Sequence, residues 1–134
     1  MPKTIALLRK VLLLDAVTCV AAGLLMTLAA HALSEPLGLE VGLLRGAGLA
    51  LLPFAVFLVH TARRARLSQA QVGVAIGLNL VWVIESVLLV VAGWAEPTVL
   101  GTVFVLGQAA AVMVLADLEL LGVWRLRGAA AVPG

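Results

Sequence analysis

Residues 71–94 read QVGVAIGLNLVWVIESVLLVVAGW, and Glu85 is the only charged residue among them. A helix rises about 1.5 Å per residue, so roughly 20 apolar residues cross the hydrocarbon core of a bilayer. A membrane-spanning β-strand would be shorter and would alternate polar with apolar side chains, which this stretch does not do. The stretch therefore predicts a transmembrane helix.

Three further apolar stretches and the overall composition agree with this assignment. Hydrophobic residues make up 63% of the 134 residues and charged residues 12%, whereas an ordinary soluble domain is about 25% charged. Four helices are predicted, at about 11–33, 41–62, 71–94 and 98–124. The breaks between them are short, so consecutive helices should run antiparallel. We predict one all-α domain over residues 1–134, an integral membrane four-helix antiparallel bundle.

The breaks themselves carry turn and capping signals. Proline suits the first turn of a helix, and the residue before it avoids the α conformation. Ser34-Glu35-Pro36 and Glu96-Pro97 are therefore each predicted to form a turn that enters the next helix. Ser68 and Gln71 have the spacing of a capping box at the start of the third helix.

The basic residues predict the orientation, because cytoplasmic loops are enriched in lysine and arginine. One side of the predicted bundle holds eight of the nine cations: Lys3, Arg9, Lys10, Arg63, Arg64, Arg66, Arg125 and Arg127. Only Arg45 falls on the other side. Both termini are thus predicted to be cytoplasmic, in a multi-pass protein of the cell inner (plasma) membrane. The cations sit at helix ends rather than along one exposed face, which excludes a nucleic-acid partner.

Two alternatives concern how the chain is organised. The first stretch could be a secretory signal peptide, but its apolar run of about 20 residues exceeds the usual signal core of about 7–15. Sliding the chain by 61 positions also places Glu35-Pro36 on Glu96-Pro97, Gly46 on Gly107, and Arg64 on Arg125. This indicates either a parallel duplication of a helical hairpin, or the similarity that any apolar helix with this entry and exit would show.

Glu85 is the principal candidate for function, since a carboxylate within a membrane helix costs about 2.5–3.5 kcal/mol. Helical spacing places Asn79, Trp82 and Ser86 on one broad face with it. A carboxylate beside an aromatic ring can bind an organic cation. The structural alternative is a protonated Glu85 that hydrogen-bonds across a helix interface to Gln108.

Three further acidic residues have structural and functional interpretations. Asp117 and Glu119 are predicted to pair with His60, Arg63 or Arg64; the alternative is a proton path from the cytoplasm to Glu85. Asp15 is predicted to snorkel towards the interface near Arg9 and Lys10.

Two functions from different classes follow. The first is a small proton- or cation-coupled transporter working as a homo-oligomer, with Glu85, Trp82, Asn79, Ser86 and Gln108 at its site. In size and helix number the chain looks like the small multidrug-resistance transporters, although their carboxylate lies in the first helix. The second is a non-catalytic subunit or scaffold that binds another membrane protein or lipid through glycine-lined faces such as Gly73 to Gly77. No nucleophile or ligand motif is present, so we predict no enzyme, no metal and no cofactor.

Overall fold

The part of the chain that the structure describes is all-helical, as the apolar runs predict. The structure, a computed structural model, describes residues 2–131, so residue 1 and residues 132–134 of the predicted domain lie outside it. The described residues form five helices and no strand: α1 (Pro2–Leu28), α2 (Ala30–Leu37), α3 (Val41–Arg63), α4 (Gln69–Val91) and α5 (Val99–Ala131). All except α2 are long enough and apolar enough to cross a membrane. The predicted number of membrane-length helices is confirmed.

The first apolar run differs from its prediction. The single helix predicted at 11–33 is divided at Ala29 into α1 and the short helix α2. Glu35 and Pro36 lie inside α2, so the predicted turn at this position is wrong. The reason is Gly38, which adopts a left-handed φ of 66° and caps α2, while the amide of Leu39 donates to the carbonyl of Ser34 at 3.1 Å. The helix ends at the residue that tolerates this conformation, not at the proline.

The other two connections begin the next helices as predicted. The amide of Gln71 donates to Ser68 Oγ at 3.2 Å, which confirms Ser68 as the N-cap of α4. The reciprocal half of the capping box is absent, because the Gln71 side chain accepts instead from Thr61 Oγ1 at 3.2 Å. Glu96 and Pro97 lie in the loop before α5, and Thr98 Oγ1 accepts from the amide of Gly101 at 3.0 Å.

Packing between the helices is uneven. Helix α1 packs extensively against α3 and also contacts α5, and α5 packs along α4. Helices α1 and α3 cross closely at two glycines: a Cβ on Gly23 would lie 2.9 Å from the carbonyl oxygen of Gly48. Helices α3 and α4, by contrast, barely touch. The bundle is therefore closed along three of its sides and open between α3 and α4.

Candidate functional site

Glu85 lies at this opening. It is an exposed residue about three-quarters of the way along α4, six residues before the helix ends at Val91. Six residues of helix correspond to about 9 Å, so Glu85 lies nearer to one end of its helix than the predicted range of 71–94 implied. A molecule in the opening between α3 and α4 can therefore contact the side chain of Glu85.

Two cavities meet at Glu85 and Trp82, which line both. The first, called here the Gln108 cavity, has a volume of about 220 Å³ and is also lined by Ser86, Gln108 and Trp94. The second, the Asn79 cavity, has a volume of about 250 Å³ and is also lined by Cys19, Asn79 and Phe54. Most of the lining is apolar, so an apolar molecule would fill either cavity readily.

A hydrogen-bonded network fixes the walls of the Gln108 cavity. Trp82 Nε1 donates to Gln108 Oε1 at 2.6 Å, and Gln108 Nε2 donates to Ser86 Oγ at 3.0 Å. Ser86 Oγ donates in turn to the carbonyl of Trp82 at 2.7 Å. The structure thus brings together Trp82, Ser86 and Gln108 beside Glu85. The amide of Gln108 bonds to Trp82 and Ser86, and the predicted alternative of a Glu85–Gln108 bond is not formed.

Asn79 belongs to a second polar group, deeper in the bundle. Its Nδ2 donates to Asp15 Oδ2 at 2.8 Å and to Glu119 Oε1 at 3.1 Å. These three side chains are here called the carboxyl cluster. Asn79 of α4 is 2% exposed, Asp15 of α1 is 1% exposed, and Glu119 of α5 is 0% exposed. Asn79 thus belongs both to the carboxyl cluster and to the lining of the Asn79 cavity, which Glu85 also lines.

Two sequence interpretations are corrected here. Asp15 does not snorkel: it is the fourteenth of 27 residues in α1, because the helix begins at Pro2 and not near residue 11. Glu119 bonds to Asn79 and does not pair with His60, Arg63 or Arg64, which lie at the C-terminal end of α3 and are exposed. Asp117 and His60 are exposed, and neither approaches Glu119 through a hydrogen bond among the described residues.

A spacing signal for this cluster is present in the sequence. The buried residues of α1 recur every three or four positions and include Leu8, Leu12, Cys19 and Met26. Asp15 falls on this stripe, and Glu119 falls on the corresponding stripe of α5 with Val105, Ala109 and Ala116. A carboxyl on the packing face of a long helix is directed inwards, which indicates burial rather than snorkelling.

The carboxyl cluster is short of hydrogen-bond donors. Asp15 Oδ2 and Glu119 Oε1 accept from the same amide nitrogen, and Asn79 is the only amide side chain of the described residues that bonds to either acid. Cys19 Sγ lies 3.7 Å from Asp15 Oδ1, while Glu119 Oε2 is buried without a donor. Within residues 3–127 no lysine, arginine or histidine side chain bonds to either acid. No group of three or more potential ligands suited to a metal ion occurs in the described part of the chain.

Comparison with known proteins identifies no similar protein. No protein-family model matches the chain, no curated protein is similar to it, and no solved structure matches its fold.

Proposed function

We propose that the chain is a small multi-pass protein of the inner membrane that exchanges protons for an organic cation, with both termini in the cytoplasm. The bias of eight cations against one supports this orientation. The antiparallel arrangement of neighbouring helices is supported by contacts between helix ends that carry basic residues and lie far apart in the sequence. Arg9 Nη1 donates at 2.6 Å to the carbonyls of Ala62 and Arg64, and Arg127 Nε donates to Gln69 Oε1 at 3.3 Å.

The observation that carries the transport proposal is the position of Glu85 at the opening between α3 and α4, where it lines both cavities beside Trp82. A negative charge next to an indole face attracts a cation, and the apolar lining favours one with an apolar body. A ligand entering between α3 and α4 would come from the lipid side. The proposed substrate class is therefore a lipophilic organic cation.

The same opening supports a homo-oligomer as the working unit. One chain leaves Glu85 exposed on the side where α3 and α4 fail to pack. A carboxylate facing hydrocarbon is unfavourable, by roughly 2.5–3.5 kcal/mol at the centre of the bilayer. A second copy across the opening would shield Glu85 and complete the cavity walls.

Glu85→Gln is expected to abolish exchange, because it retains the size of the side chain and removes its charge. Proteoliposomes with an acidic interior should take up ethidium through the wild-type protein and only at the background rate through the variant. Asp117→Asn is the matched control, since Asp117 is an exposed carboxylate that lines neither cavity. Uptake by Glu85→Gln equal to that of the wild type, or no protein-dependent uptake at all, would refute the proposal.

A second candidate function, a subunit or scaffold, is favoured by one feature. Gly73 and Gly77 are exposed on α4, and a Cβ on either would meet nothing within 4 Å. Two small residues one turn apart on an outer face let another helix approach closely. In this function Gly77→Leu should remove a partner protein from complexes extracted gently from native membranes, as measured by native mass spectrometry. Gly107→Leu, at an equally open position on α5, should leave the complex unchanged; retention of the partner by Gly77→Leu would argue against the scaffold.

A further inference from the structure

The carboxyl cluster contains two acidic side chains but only one amide donor and no basic side chain. Both of its acids are at most 1% exposed and lie within membrane-length helices. Two ionised carboxylates so close in a low-dielectric interior would repel each other strongly, and each would lose its hydration. Two carboxylates that accept from one amide nitrogen repel each other unless one of them carries a proton.

We propose that Asp15 and Glu119 share one exchangeable proton and that this pair is the proton-binding site of the exchanger. Asn79 holds the two acids in place. Two independent observations support it besides the pairing of acids. Glu119 Oε2 is fully buried and accepts from no donor among the described residues, so this oxygen is free to carry a proton. The Asn79 cavity borders the cluster and leads to Glu85, which supplies a route for that hydrogen. The proton site itself stands without the transport proposal; its role in exchange rests on that proposal.

The surroundings, as far as the structure describes them, contain no compensating cation. Helix α1 presents Asp15 and Cys19 to the cluster, and α4 presents Asn79 with Glu85 further along the Asn79 cavity. Helix α5 presents Glu119, while Asp117 lies exposed. Helix α3 contributes only apolar residues to that cavity, and its ionisable residues, Arg45, His60 and Arg63, are exposed towards its two ends. A proton is therefore the counter-ion that these residues can accommodate.

The route and the charge balance follow from the cavity. Its volume of about 250 Å³ is room for several waters, each of which occupies about 30 Å³ in the liquid. On release a carboxyl O–H bond of the pair breaks, and the proton passes to water in the Asn79 cavity beside Asn79 and Cys19, which bond to the acids and line that cavity. The pair gains one negative charge. One monovalent cation then binds at the carboxylate of Glu85, so one positive charge enters for the proton that leaves, and return of the proton releases the cation. One proton is thus exchanged for one cation.

Infrared difference spectroscopy across a pH titration tests the shared proton directly. The wild-type protein should show a buried, protonated carboxyl C=O band that shifts in D₂O. Glu119→Gln and Asp15→Asn should each abolish this band, because an amide then supplies the hydrogen permanently. Asp117→Asn should retain it. An unchanged band in both cluster variants, or no such band in the wild type, would overturn the proposal; using two isosteric variants guards against one that fails to fold, which helicity by circular dichroism would show.

The two proposals can fail separately. If the cluster variants lose the band while the wild-type protein moves no ethidium, the proton site stands and the transport function is wrong. If Glu85→Gln abolishes ethidium uptake while the wild type has no protonated carboxyl band, transport stands and the shared proton is wrong. If both hold, Glu119→Gln should bind ethidium without releasing a proton into weakly buffered solution, whereas the wild type releases about one.

Discussion

Replacing Gly48 by leucine is expected to separate α1 from α3 and to lower the free energy of unfolding by about 3 kcal/mol, the upper range for overpacking a close contact. A Cβ on Gly48 would lie 2.8 Å from the carbonyl oxygen of Gly23 and 2.9 Å from the amide nitrogen of Thr27. Both neighbours are backbone atoms of α1, so neither can rotate aside. Titration of the purified protein with sodium dodecyl sulfate, followed by circular dichroism, measures the change.

Gly46→Leu is the matched control for this crossing. Gly46 lies two residues earlier on α3 and is exposed, and a Cβ added there would have no atom within 4 Å. Leucine at this position should change the free energy of unfolding by no more than about 0.5 kcal/mol, as is usual at surface positions. Equal destabilisation by the two variants would mean that α1 and α3 do not approach closely at Gly48.

Asn79→Leu is expected to be comparably destabilising, by roughly 3 kcal/mol, since it removes the amide donor that joins two buried acids. Asn79 Nδ2 bonds to Asp15 at 2.8 Å and to Glu119 at 3.1 Å, and all three side chains are almost fully buried. The substitution leaves both carboxyl groups in an apolar interior with fewer partners. The same detergent titration measures the loss of stability.

A double-mutant cycle shows whether Asn79 acts through the acids. In a Glu119→Gln background the new amide can donate to Asp15, so the further loss of Asn79 should destabilise the protein by half as much or less. The same destabilisation in both backgrounds would show that Asn79 stabilises the bundle by packing alone. Leu80, the next residue on α4, is an apolar and only partly buried side chain, so Leu80→Ala separates this effect from general loosening of the helix.

The long helices are predictable because each depends on its own residues. An uninterrupted apolar run must be helical in lipid, where no water is present to satisfy the backbone. Residues 71–94 therefore predict α4 to within three residues at its C-terminal end, and Ser68 predicts where α4 begins. The short helix α2 is not predicted, because proline chemistry alone places a turn at Pro36, whereas the left-handed Gly38 decides where the helix ends.

The candidate site is predictable only in part. The i, i+4 spacing of Trp82 and Ser86 places them together on α4, and the structure joins them through Gln108 of α5. Helical spacing also places Asn79 on the broad face of Glu85, but its side chain turns to Asp15 and Glu119. The part these residues take in transport is a proposal that the Glu85→Gln assay tests. The duplication at an offset of 61 residues stays a prediction.

Hydrophobicity and helix length are properties of each segment alone, which is why the amino-acid sequence suffices to predict a helical chain with four helices able to cross a membrane. The meeting of the two buried acids, by contrast, is not a property of any single segment. Asp15 lies in α1 and Glu119 in α5, and their meeting at Asn79 depends on the register of these helices against α4, which is set by side-chain packing between helices. The opening between α3 and α4 is likewise a property of the assembled bundle, since it exists where two apolar helices do not pack.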